Sequence, residues 1–278
     1  MKVPSLRVTS IASILCLSAG FALVFFYAPL DVDQGFIQKI FYLHVPLAIC
    51  SLAGFVIAAL HAVRHLRTGD PVHDVRSYVS IHLSVIFGVG VLLTGSIWAH
   101  ASWGKWWVWD EPTLVSFLIV FLLYVTYYPL RYAIEDRDRQ ARYASVFAIT
   151  AGAFVPLNFA AVRAAESLVH PRVFATAEGG MTGEMWLAFL ASIAGMALLW
   201  TTLVRFELTA KSASARISRL RRALDAQAPV DRGSRVAPPV PRPPARADAR
   251  PAPRRSRQVR RRRLPRLPRA DPDLRRDH

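Results

Sequence analysis

Cysteine is nearly absent. Cys16 and Cys50 are the only two in 278 residues, and no C-x-x-C pair is present. That excludes a disulfide-built fold, thiol exchange, a cysteine-rich zinc site and thioether attachment of a prosthetic group. Charge is scarce too, at 19% of residues, while 53% are hydrophobic. Soluble domains average about 25% charged and about 45–50% apolar, so the apolar surplus here needs a non-aqueous environment. There is no G-x-x-x-x-G-K-[ST] loop, which excludes ATP hydrolysis by this chain, no H-E-x-x-H, and no internal repeat.

What charge there is lies unevenly. Residues 1–210 hold 14 Lys+Arg and 13 Asp+Glu, and residues 211–278 hold the other 21 and 6 of the totals 35 and 19, a net of +1 against +15. Two objects share the chain, an apolar body over 1–210 and an Arg/Pro-rich tail over 211–278. The tail carries 11 of the 19 prolines and runs such as Arg260–Arg263. Such a composition buries too little apolar surface to offset ordering entropy, which predicts disorder. A polybasic segment beside a membrane is drawn to anionic lipids, at about 1 kcal/mol per basic residue. Membrane lipids are therefore its expected partner, and no nucleic-acid module accompanies it.

A helix needs about 20 residues to cross about 30 Å of hydrocarbon. Six stretches qualify, near 8–30, 39–63, 79–99, 113–132, 142–162 and 183–204. The fold class expected is an all-α integral membrane protein of six transmembrane helices. The first apolar run, Ile11 to Leu30, is longer than a signal-peptide core and reads as a retained span. Lys2, Arg7, Arg64, Arg67, Arg76, Arg131, Arg137, Arg139, Arg142 and the tail fall on one side, against Lys39, Lys105, Arg163 and Arg172 on the other. The positive-inside rule then predicts cytoplasmic N and C termini, with connections near 31–38, 100–112 and 163–182 facing outward.

The outward connection at about 100–112 contains WGKWWVWD, four tryptophans in the seven positions Trp103 to Trp109. If helical, Trp103, Trp106 and Trp107 share a face at i, i+3 and i+4. Asp110, with Glu111 and Pro112 after it, then caps the fourth span. An interfacial aromatic belt is the plain alternative, but a belt spreads its aromatics over many span ends, whereas these are packed into one loop beside Gly104. A concentrated aromatic face suits a large flat ligand.

Eight histidines sort by the same topology. His61, His65 and His73 fall at the inner surface, where solvated or lipid-facing roles are expected; His82 reads as a hydrogen-bonded helix residue; His278 is in the tail. His44, His100 and His170 remain outside. His44 in FYLHVP and His170 in ESLVHP are each followed closely by proline. Two imidazoles on the same side as the indoles fit axial ligation of haem iron better than zinc.

WGKWWVWD resembles the WGxWWxWD signature of the tryptophan-rich haem-handling family that includes CcmC, CcmF and CcsA, and IFYLHVP and LLTGSIW resemble its CcmC branch. The resemblance covers residues 30–205, and six spans suit that branch. It implies cytochrome c biogenesis at the inner (plasma) membrane, with haem b as cofactor. It implies binding by His44, His170, Trp103, Gly104, Trp106, Trp107, Trp109 and Asp110, the two histidines being the axial metal ligands. The activity implied is haem-lyase-like, attaching haem to the chaperone CcmE, with the ABC transporter subunits CcmA and CcmB and small CcmD as partners. A CcsA-like synthase delivering haem directly to apocytochrome c is the alternative. A haem-exporting permease would need a polar path through the spans, and a b-type electron-transfer subunit would need histidine pairs on both sides.

Two departures from that family follow. Ala164, Ala165 and Glu166 stand where a tryptophan pair usually precedes the second histidine, and Glu111, Pro112, Thr113 and Leu114 stand where Ala-Arg-Leu-Thr is common. Without that arginine, Lys105 or Arg172 is the expected partner for a haem propionate. Lys105→Ala should lower haem retained through detergent purification; unchanged haem content would remove Lys105 from that role.

Overall fold

The structure is a computed structural model of the chain and describes residues 5–165, 168–170 and 181–227. It is all-helical there, with six helical segments long and apolar enough to cross a membrane. They comprise α1 (Leu6–Phe26), α2 (Phe41–Thr68) with a 3-10 turn over Phe36–Ile40 before it, α3 (Pro71–Trp103), α4 (Pro112–Val125) continued by the short α5 (Tyr127–Tyr132), α6 (Arg137–Ala164) and α7 (Gly183–Gln227).

Several helices outrun the expected spans. The α2–α3 connection is tight because Asp70 accepts from the Val72 N–H at 2.8 Å and Pro71 opens the first turn of α3. α7 crosses the compositional junction at 210/211 and ends at Gln227, so residues 211–227 are helical rather than the start of a disordered tail. The reason is local: this stretch is rich in Ala, Arg and Leu, and neither Gly nor Pro occurs between Gly195 and Pro229. The disorder expected for 228–278 lies outside the described residues, as does Arg172.

The bundle has two chemically distinct ends, here called the tryptophan end and the arginine end. Between them lies a core where α2, α3, α4, α5 and α6 meet. Phe55 and Tyr124 stack with ring centroids 3.8 Å apart, and the Tyr124 hydroxyl donates to the Phe55 carbonyl at 3.2 Å. A second core joins α1, α2 and α7 through Val24, Ala28, Phe41, Tyr42 and Phe189.

Arginines counted from sequence as loop charges do not all sit in solvent. Arg131 is buried and grips Asp74 with two parallel bonds of 2.7 and 2.6 Å, while the same guanidinium donates to the Tyr127 hydroxyl at 2.9 Å. His65 is also buried, its Nδ1 donating to the Asp70 carbonyl at 3.0 Å, and His61 and His73 bring their Nδ1 atoms within 3.4 Å of each other. Of these three, expected in solvent or lipid, only His65 is buried, brought onto Asp70 by the short α2–α3 turn; His61 and His73 are half-buried. His82, expected to be hydrogen-bonded, pairs with Glu207 of α7 at 2.9 Å.

Lys39 is buried as well. Its ammonium donates to the carbonyls of Val24 and Ala28, where the dipole of α1 places negative charge. This ties the 31–40 connection to the end of α1.

Removing one partner of a buried ion pair strands the other charge, at about 3–5 kcal/mol. Asp74→Leu should therefore destabilise the protein strongly in detergent thermal unfolding, and Asp74→Leu/Arg131→Met should recover most of the loss. A single-variant loss below about 1 kcal/mol, the size for a solvated pair, would contradict this burial.

Candidate functional site

At the tryptophan end, α2 begins, α3 ends and α4 begins, and the segment 168–170 follows α6. His44 lies in the second turn of α2 and faces α3. Its Nδ1 is 2.9 Å from the Thr94 Oγ1, and that hydroxyl donates to the Gly90 carbonyl at 2.7 Å. With the hydroxyl proton committed to a carbonyl, Thr94 accepts from Nδ1–H, which places the imidazole proton on Nδ1 and leaves Nε2 with an open lone pair. The same arrangement orients metal-ligating imidazoles generally.

Gly95 makes room for this ring. A Cβ at that position would come within 2.9 Å of His44 Cε1, closer than real side chains approach. Trp98 sits edge-on to His44 at 5.8 Å between centroids, and its indole N–H donates to Gln34 at 2.6 Å, fixing the 31–38 connection over the site.

The tryptophan segment is not helical. α3 stops at Trp103, and Gly104 follows in the left-handed region at φ 70°, its N–H bonding the His100 carbonyl at 2.9 Å. This is the C-terminal cap that glycine tolerates without steric penalty. The expected shared helical face of Trp103, Trp106 and Trp107 is therefore replaced by a folded loop. In it Trp106 stacks on His100 with centroids 4.1 Å apart and planes 4° from parallel, and Trp107 meets Trp109 edge to face at 6.0 Å. Trp106 and Trp109 are 60% and 71% exposed. Trp107 is half-buried, and its indole nitrogen is a buried donor with no acceptor among the described residues. Trp103 is half-buried at the end of α3, and Lys105 is exposed.

The cap of α4 is Glu111, not Asp110. Pro112 occupies the first helical position, the Glu111 carboxylate accepts from the Thr113 N–H at 3.3 Å, and Asp110 is exposed. Glu111 is fully buried. Its other oxygen accepts the backbone N–H groups of Leu168, Val169 and His170 at 3.0, 2.9 and 3.2 Å. Burial by itself pushes this carboxyl upward, but the N–H groups of Val169, His170, Thr113 and Leu168 together outweigh it and hold the pKa below its ordinary value.

His44 and His170, distant in sequence, are electrostatic neighbours here. Arg163, the remaining nearby cation, lies over the Phe159 ring. Among the described residues no three His, Cys, Asp or Glu side chains are grouped to hold a bare metal ion. Thr94, Gly95 and the reach of Glu111 went unnoticed in the sequence. Thr94 lies within the LLTGSIW stretch, yet its pairing with a residue on another helix leaves no local signal.

Residues 2–223 match the family CcmC, heme exporter protein C. The chain belongs to the CcmC family. The heme exporter protein C of Rhodobacter capsulatus is 29% identical over 195 residues, covering 69% of this chain and 80% of that protein. That of Escherichia coli K12 is 33% identical over 148 residues, covering 53% and 60%. That of Bradyrhizobium diazoefficiens is 34% identical over 130 residues, covering 47% and 49%. In this CcmC-family chain, Thr94→Val should release the His44 tautomer. Imidazole 15N shifts should report Nδ1–H in the wild type and a mixture in the variant; an unaltered Nδ1–H signal would show that Thr94 does not set it.

Proposed function

We propose that this CcmC-family protein binds haem at the tryptophan end, through His44 and His170 on the iron and the indoles of Trp106, Trp107 and Trp109 around the ring, and presents it to the haem chaperone CcmE. The observation that carries the reading is that His44, whose Nδ1 is engaged by Thr94, lies within electrostatic reach of His170, whose backbone N–H is anchored by Glu111.

The site suits such a cargo. A macrocycle supplies four donors to its own iron, so two protein imidazoles suffice where a bare ion would need three or four ligands. The exposed indoles offer flat apolar surface, and the unpartnered Trp107 N–H is a donor of the kind a propionate accepts. The ligand bound without covalent attachment is haem b.

The chain's own contribution is positioning. His44 and His170 fix the iron, the loop of Gly104 to Asp110 covers the ring, and neither histidine transfers a proton in the process. Lys105 is the free-standing cation of the loop suited to a propionate. The positive-inside distribution turns this end outward across the inner membrane, where a chaperone can reach it. ATP hydrolysis belongs to CcmA, working with CcmB, and CcmD completes the assembly.

The test is the visible spectrum of detergent-purified protein from haem-replete cells. The wild type should show a Soret band of low-spin haem, and His44→Ala and His170→Ala should each abolish or shift it. A colourless wild type would overturn haem binding, and a spectrum indifferent to both substitutions would overturn the ligand assignment.

A further inference from the structure

Glu111 stands out among the chain's acids. It is fully buried, and its carboxylate touches no cation among the hydrogen bonds and ion pairs of the described residues; its hydrogen-bond partners are backbone N–H groups. Three consecutive amides converge on one oxygen, and the third belongs to His170. The other oxygen caps α4, the helix that begins where the tryptophan loop ends. A charged acceptor makes stronger hydrogen bonds than a neutral one, and buried amides stripped of their acceptor are costly. Segment 168–170 has no regular secondary structure, so this carboxylate takes the place of a helix or strand in holding it.

We infer that Glu111 is the positioning residue for the second haem ligand, clamping the 168–170 backbone to the start of α4 so that the His170 imidazole is held beside His44. The inference rests on the haem-binding reading above. The rigid partners are the ends of α3 and α4, which carry Thr94 and Glu111. His44 is oriented by a side chain bonded to its ring, and His170 by a side chain bonded to its backbone. Without Glu111 the amides of Leu168, Val169 and His170 lose their shared acceptor, and the second imidazole is held less firmly toward the iron. Among the described residues no Arg, Lys or His side chain pairs with this carboxylate, so its length and its charge both matter to the clamp.

The experiment uses the full-length protein in detergent with Glu111→Ala, Glu111→Gln and His170→Ala, read by visible spectra and by backbone amide exchange at 168–170. Glu111→Ala should convert the low-spin spectrum to the high-spin form of His170→Ala. The double variant Glu111→Ala/His170→Ala should add nothing further, and added imidazole should restore the low-spin spectrum in both single variants. A structural defect alone would lower yield without this matched spectrum or its rescue.

Glu111→Gln keeps the shape and one oxygen. It should speed amide exchange at 168–170 by about tenfold or more, the weight of a charge-assisted bond, and lower the low-spin fraction. If Glu111→Ala does not fold, Glu111→Gln decides. A variant that keeps both the wild-type spectrum and wild-type exchange, while His170→Ala loses its low-spin form, overturns the role of Glu111. A wild type without a Soret band overturns the haem reading, and amide exchange in Glu111→Gln then separately decides whether the clamp exists.

Discussion

Backbone N–H and C=O groups have no water to bond in hydrocarbon, so a chain that crosses it must satisfy them within its own helices. That constraint accounts for the length and regularity of α1, α2, α3, α6 and α7. It also confines irregular backbone to the helix ends, where other acceptors and donors must be supplied. At the tryptophan end they come from a few side chains. Lys39 closes the carbonyls of α1, Gly104 turns the chain out of α3, and Glu111 gathers the amides of 168–170. Each is a solution to the same accounting problem, and each fixes a piece of the candidate site.

The two ends of the bundle solve different problems with similar means. At the arginine end, the Arg131–Asp74 pair and the His82–Glu207 pair join helices to one another, although the nearby Ser77, Tyr128 and Thr202 hydroxyls have no hydrogen-bond partner among the described residues. At the tryptophan end, unsatisfied capacity remains: an open Nε2 on His44, a buried indole N–H on Trp107, and exposed rings on Trp106 and Trp109. Rigid ends with unused donors and acceptors are what a ligand site needs, since groups already held in place lose little freedom on binding. The proposed haem site draws on those groups at the tryptophan end.

Several local features were legible because they depend on neighbours in sequence. The six apolar runs gave the spans, and the crowding of Trp103, Trp106, Trp107 and Trp109 marked the loop. The loop's conformation was not legible as a helix stop, although Gly104 lies within the signature; a glycine in an aromatic run carries no sign of its φ until the chain is folded. Asp110 looked like the cap of α4 because it is the first acid before Pro112, yet Glu111 is one residue closer and buried. Composition also placed the tail boundary too early, since arginine counts against a core but not against a helix.

By itself the sequence determined that the chain is helical and where hydrocarbon-length segments lie, and it singled out two histidines and a tryptophan loop as candidates. Those properties follow from hydrophobic periodicity, run length and residue type, which are local. Only the tertiary structure decided that Thr94 meets the His44 imidazole and that Glu111 holds the backbone of His170. Both depend on side chains meeting across helices far apart in sequence, where a hydrogen bond forms through space with no counterpart in spacing.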